Sequence, residues 1–151
     1  MYKKLIYVTS CLVFMLMLSG CHSAKNVETE LNLIKDIFIE TEENQYYYDL
    51  VENLLNNKQD TQTLALTKKE LHASKQKLNS LSLKTKEAKN VKENYLKALR
   101  EREKVVMLLE KEQLNKKEIN ELKKYLLASK ENELKAREII IKELNLKDIE
   151  E

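Results

Sequence analysis

The chain has 151 residues with 27 Lys and Arg, 25 Asp and Glu, two cysteines, one glycine and neither proline nor tryptophan. So little glycine excludes a Gly-rich phosphate cradle and the glycine-dependent tight hairpin turns, and the near-balance of charge gives no single-sign field of the kind that steers nucleic acid. The surplus of Lys, Glu and Leu favours helix.

The first 20 residues read as a leader. Lys3 and Lys4 form a short positive region, the run from Leu5 to Leu18 is apolar apart from Tyr7, Thr9 and Ser10, and Ser19 and Gly20 are small. A membrane-spanning helix needs roughly 20 apolar residues, and this run is shorter. A signal that is never cut would still anchor the chain, and an ordinary secreted protein would also start this way. Losing Lys3 and Lys4 takes the basic count from 27 to 25, so the module from 21 to 151 has 25 basic and 25 acidic side chains. Cys11 leaves with the leader, so Cys21 is the one cysteine left and no intramolecular disulfide can form.

The tetrapeptide Leu18-Ser19-Gly20-Cys21 at the end of that leader resembles the lipobox of bacterial lipoproteins. The resemblance implies that Leu18, Ser19 and Gly20 are read by the processing enzymes and that Cys21 becomes the first mature residue. It also implies a covalent diacylglyceryl group on Cys21, with no other cofactor, and attachment to the outer face of the cytoplasmic membrane. Two acyl chains hold a protein on a bilayer where one gives only marginal residence.

After the leader the expected fold is all-α. It is an elongated helical hairpin or a three-segment antiparallel bundle with coiled-coil character, in one domain, with helices over about 27–56, 62–113 and 117–144. In the first helix Val27, Leu31, Ile34 and Phe38 form a stripe that Leu33 and Ile37 widen, and the pattern resumes with Tyr48, Val51, Leu54 and Leu55. The polar run from Asn56 to Thr63 is the first loop. Asp60 or Thr61 can cap the next helix, and Thr67 with Glu70 fits a capping box that would start it later. Leu64, Leu71 and Leu78 recur at sevens, and Leu81, Ala88, Val91, Tyr95, Ala98, Val105 and Leu109 continue the seam. Such a helix either overhangs, offering its stripe to a partner, or bends near Ser80 to Ser82. A turn is expected near 113–117, where Asn115 and Glu118 fit a cap and capping box. The last helix carries Ile119, Leu122, Leu126, Leu134, Ile141 and Leu144, with Glu131–Lys135, Glu133–Arg137 and Glu138–Lys142 as outward i,i+4 pairs.

No residue pattern points to an enzyme. His22 and His72 are too far apart to read as a metal pair, and no pocket is implied that would shift a carboxyl pair such as Glu42 and Glu43. Tyr46, Tyr47 and Tyr48 are the most distinctive cluster. Three adjacent rings cover about 300° of a helix, so at least one faces away from the core, where it can stack on a sugar, a peptide or another helix. The stretch from Lys68 to Lys92, with eight lysines against Glu70 and Glu87, reads as a solvated helix face or as contact with headgroups or wall polyanions.

The segment from Lys92 to Leu126, rich in Tyr, Leu, Lys and Glu behind the lipobox, resembles the cell-wall-binding helical lipoproteins of Gram-positive bacteria. That likeness implies contact with envelope material and transfers no catalytic residue. The favoured expectation is a membrane-anchored interaction protein that meets an envelope protein or its own copies. The alternatives are a peptidoglycan or wall-polymer binder and a plasmid- or prophage-borne exclusion or immunity lipoprotein. No nucleic-acid partner is expected.

Overall fold

The computed structural model describes residues 25–37, 43–55, 61–111 and 113–145. The leader, Cys21 and its lipobox neighbours lie outside the described residues, as do Phe38 and most of the first loop. All regular structure among the described residues is helical: α1 over residues 25–37, α2 Glu43–Leu55, α3 Thr61–Ser80, α4 Lys86–Leu109 and α5 Lys116–Glu143. Among the described residues the domain is all-α with five helices, and its most extensive packing joins α4 to α5, with α3 against both α2 and α4.

The contacts give the directions of the helices. Lys111 meets Glu118, Lys104 lies over Tyr125, and Arg102 reaches Ser129 and Glu133. Partners advance along α5 as they retreat along α4, so the two are antiparallel. Lys68 pairs with Glu110 and Lys75 with Glu103, which makes α3 and α4 antiparallel as well. Lys68 to Lys75 and Glu110 to Glu103 are steps of seven residues, two helical turns, so these rungs repeat on one face.

The expected single helix over 62–113 is corrected, because residues 81–85 are not helical. This short connection satisfies the polar groups left by two helix ends. Ser80 Oγ donates to Lys77 O, and Lys92 Nζ donates to Asn79 O at 3.3 Å and Leu81 O at 3.0 Å. Thr85 caps α4, its hydroxyl accepting from Ala88 N. Leu81 and Leu83 pack on the core, so the leucine stripe folds back on itself instead of overhanging.

Other boundaries follow from caps. Helix α3 starts at Thr61, and the capping box read at Thr67 is absent: Thr67 is buried inside the helix and its hydroxyl donates to Thr63 O at 2.8 Å. Asn115 does cap α5, with the reciprocal bond from its own backbone N–H to Glu118. At the other end Asn145 adopts φ 50° after Leu144 and donates to Lys142 O. Asparagine thus takes the left-handed position that glycine usually holds.

Along each of the last three helices the core contains a run of three- and four-residue steps. In α3 it runs Leu64, Thr67, Leu71, Ser74, Leu78; in α4 Ala88, Val91, Tyr95, Ala98, Arg102, Val105. In α5 it runs Leu122, Leu126, Ser129, Glu133, Ala136, Ile140. Leu31 and Ile34 of α1 join the larger apolar cluster with Leu71, Leu78, Val91 and Leu99, while Tyr47 of α2 joins a second with Val105, Leu108 and Leu122. Full burial of a leucine or isoleucine contributes about 1.5–3 kcal/mol. Two expectations for α5 are corrected: Leu134 faces solvent because the buried face passes through Glu133, and Ile119, in the first turn, is exposed.

Candidate functional site

The three tyrosines do not form a common surface. Tyr47 is buried, Tyr46 is half-buried and Tyr48 is 52% exposed. The stripe therefore continues through Tyr47 and Leu50, and Tyr48, expected on the seam, points outward. The rings of Tyr47 and Tyr48 meet edge to face with centroids 6.0 Å apart. Of the sequence-predicted surface, Tyr48 alone is an open aromatic platform.

What lies behind Tyr47 is a buried polar cluster drawn from three helices. Arg102 of α4 is 1% exposed, and its guanidinium sits 4.6 Å from the centre of the Tyr47 ring. Its Nε donates to Ser129 Oγ at 3.2 Å and its terminal nitrogen donates to Glu133 Oε2 at 2.5 Å. The other carboxylate oxygen, Glu133 Oε1, takes Arg137 at 2.8 Å. Glu133 was expected on the outer face of α5 as the partner of Arg137. It does pair with Arg137, but from inside the bundle, where it is 5% exposed.

The electrostatics of the cluster follow from its burial. Removing a phenol from water disfavours its charged form, so the Tyr47 hydroxyl is pushed up to about 12, with Arg102 and Ser129 opposing the rise. Tyr95 is raised by burial and then by the Glu133 charge, against the counter-effects of Arg137 and Arg102. Both phenols are neutral across the physiological range. The planar guanidinium suits this position, since it can stack on a ring and bond a carboxylate at once.

Chemically the buried charges of the cluster are matched within it. Both Glu133 oxygens are engaged by guanidinium groups, and the ring of Tyr47 covers one side of Arg102. Its evident work is to fix how α2, α4 and α5 meet. The sequence held one signal for it: the three-and-four rhythm through Tyr95, Ala98, Arg102 and Val105 puts the arginine on the seam. Following only the apolar residues steps over it.

The remaining expected sites separate. His72 is exposed and its Nε2 lies 2.9 Å from Gln76 Nε2. Among the described residues no group of three or more His, Cys, Asp or Glu is arranged to hold a metal ion. The basic stretch is divided by the fold. Lys68 and Lys75 pair with Glu110 and Glu103, and Lys92 serves the α3–α4 connection. Lys77, Lys84, Lys86 and Lys89 are exposed.

One site was not foreseen. Glu30 of α1 reaches the start of α4, where its carboxylate accepts from Lys84 N at 2.8 Å, Thr85 N at 2.9 Å and Thr85 Oγ1 at 2.6 Å. Desolvation raises its pKa, but the three bonds at Thr85 and Lys84, helped by Lys89, prevail and hold the carboxyl below its ordinary value. No sequence spacing announces a bond across more than fifty residues. Comparison of the chain with protein-family models, with curated proteins and with solved structures finds no match.

Proposed function

We propose that the chain is a lipid-anchored helical interaction protein on the outer face of the bacterial cytoplasmic membrane. The observation that carries this reading is Leu18-Ser19-Gly20-Cys21 placed directly after Lys3, Lys4 and the apolar run to Leu18. In this reading residues 1–20 are removed and the diacylglyceryl group on Cys21 is the only attachment to the bilayer. No helix among the described residues is long and apolar enough to cross a membrane. Labelling with a radioactive or clickable fatty acid tests the anchor: label is expected on the full chain and is expected to vanish in Cys21→Ser. Label that survives that change sinks the assignment.

The interaction half of the reading is supported by apolar side chains presented to solvent in an otherwise charged surface. Leu127 and Leu134 of α5 are 60% and 47% exposed, and half-buried Ile141 follows them at the same seven-residue interval. A repeat of this kind lies on one face of a helix and has coiled-coil character, suited to an envelope protein or a second copy of the chain. Replacing Leu127 and Leu134 by glutamine is expected to abolish capture of a membrane partner or self-association of the detergent-solubilised protein. Unchanged capture and unchanged sedimentation would exclude that face.

Binding of peptidoglycan or a wall polymer is the second reading, favoured by the exposed ring of Tyr48. Stacking on a sugar needs one open aromatic face. Isolated sacculi are expected to sediment the protein and to lose it on Tyr48→Ala, whereas sedimentation indifferent to that change removes Tyr48 from the reading.

A further inference from the structure

Exposed lysines stand at both ends of the bundle, Lys111, Lys116 and Lys117 near the α4–α5 turn and a second group near the α3–α4 connection. Lys77 lies in the last turn of α3, Lys84 in the connection, and Lys86 and Lys89 in the first turn of α4. Lys92 binds the carbonyls of Asn79 and Leu81, so the end of α3 and the start of α4 are one place in the fold. Among the described residues none of these four exposed lysines is in an ion pair, in contrast to Lys68 and Lys75. The start of α1 belongs to the same end, because Glu30 is bonded to Lys84 and Thr85. Lys25, five positions before Glu30, is exposed as well. The acids at this end are Glu28, Glu30 and Glu87, with Glu143 beside Lys142 at the end of α5, whose Ile140 and Leu144 share a cluster with Ala88.

The position of this end relative to Cys21 gives it meaning. Lys25 follows Cys21 by four residues, and four residues span at most about 14 Å even when fully extended. A diacylglyceryl group on Cys21 would therefore hold the start of α1 within about 14 Å of the headgroup plane. Charge attraction at physiological salt extends about 8 Å, a range that the tether allows lysines at this end to reach and that those at the far end lie beyond. Helix α4 has 24 residues and so separates its two ends by about 36 Å.

We infer that the end of the bundle formed by the start of α1, the 81–85 connection and the start of α4 is a membrane-facing surface that seats on anionic phospholipid headgroups through Lys25, Lys84, Lys86 and Lys89. Glu30 is the positioning residue, since it ties the helix nearest the anchor to the loop that carries the lysines. This rests on the proposed acylation of Cys21 and adds an orientation to it: the α4–α5 turn points away from the bilayer. Juxtamembrane lysines strengthen attachment to anionic lipid over neutral lipid.

The test uses the full acylated chain in phosphatidylcholine vesicles with graded phosphatidylglycerol. A fluorophore is placed on Ser82→Cys, exposed in the connection, in one sample and on Gln113→Cys in another, both in a Cys11→Ser background, and is quenched by a headgroup-bound quencher. Quenching at position 82 is expected to exceed that at 113 several-fold, to rise with the anionic fraction, and to fall toward the neutral-lipid level in Lys84→Glu/Lys89→Glu. The milder pair Lys84→Gln/Lys89→Gln should fall part of the way, and circular dichroism checks that helix content is unchanged in both. Equal quenching at the two positions, or indifference to phosphatidylglycerol, overturns the inference. So does a surface that ignores phosphatidylglycerol but binds isolated sacculi through the same lysines. Mass spectrometry of the purified chain separates the two readings: an unacylated Cys21 overturns the anchor and this inference together, while an acylated chain that fails the quenching test overturns this inference alone.

Discussion

The α3–α4 and α4–α5 interfaces share one helix and one antiparallel arrangement, yet they handle charge in opposite ways. Between α3 and α4 the seam holds Leu71 and Leu78 with the small polar Thr67 and Ser74, and the ion pairs Lys68–Glu110 and Lys75–Glu103 stand on the rim. Between α4 and α5 the ion pair is in the seam itself, with Arg102 and Glu133 side chains 1% and 7% exposed. A rim pair is screened by solvent and contributes little. A buried pair costs desolvation on both sides and is repaid only by its own partner, so its strongest effect is on register. Sliding α5 by one heptad would set Leu126 or Ile140 against Arg102 and leave Glu133 among apolar side chains. Both interfaces set a basic side chain against a glutamate; placement decides what the charges do.

The largest expected effect breaks the central pair. Glu133→Ala leaves Arg102 buried without its carboxylate and is expected to lower unfolding free energy in urea by about 3–5 kcal/mol. Replacing both partners by apolar residues of similar size, Arg102→Met with Glu133→Leu, is expected to recover most of that loss or to exceed the parent. If the single change costs under about 1 kcal/mol, the pair does not sit in a desolvated seam.

The tyrosines sharpen the same contrast between inside and outside. Tyr47→Ala removes a buried ring from under Arg102 and is expected to cost about 3 kcal/mol. Tyr48→Ala, one position along and largely in water, is expected to change stability by less than about 0.5 kcal/mol. Equal losses in thermal or urea unfolding would contradict the division of the two rings.

Glu30 offers an intermediate case, a partly exposed carboxylate engaged by three donors. Its folded pKa lies below that of the unfolded chain, so its contribution is present above the ordinary carboxylate range and is lost as pH falls through the folded value. Glu30→Gln is expected to destabilise by about 1 kcal/mol at neutral pH. The gap between parent and variant should then close as pH is lowered below the ordinary carboxylate range. A gap that stays constant with pH would mean that the carboxylate charge is not what holds α1 to α4.

The helices themselves were written plainly in the sequence, since an absence of proline and a three-and-four rhythm leave few alternatives. Asn115 and Glu118 announced the start of α5 through local chemistry that needs no tertiary partner. The break at 81–85 was harder to read, because Ser82 and Thr85 only weaken a helix and the decisive contributions come from Lys92 and Glu30, distant in sequence. Reading the seam by hydrophobicity alone followed Ala98 to Val105 and Leu126 to Leu134, passing over Arg102, Ser129 and Glu133. Burial of a charge depends on its partner across the interface, and a helix taken singly does not contain that information. Of the expected surface, Tyr47 was drawn inward for the same reason.

The smallest effect belongs to the rim, and it is the one that separates location from chemistry. Lys75 Nζ meets both Glu103 oxygens at 2.7 and 2.8 Å, a geometry as good as that of the central pair, with side chains 29% and 35% exposed. If hydrogen-bond geometry set the contribution, Glu103→Gln and Glu133→Gln would cost alike. If burial sets it, Glu103→Gln should cost at most about 1 kcal/mol and its effect should fade in 1 M salt, where charge attraction reaches only about 3 Å. The Glu133→Gln deficit should persist there, because ions do not enter the seam. Salt dependence of the two variants, measured side by side in urea unfolding, therefore reads out depth directly, and a rim deficit that survives high salt would place Lys75 and Glu103 inside the bundle instead of on its edge.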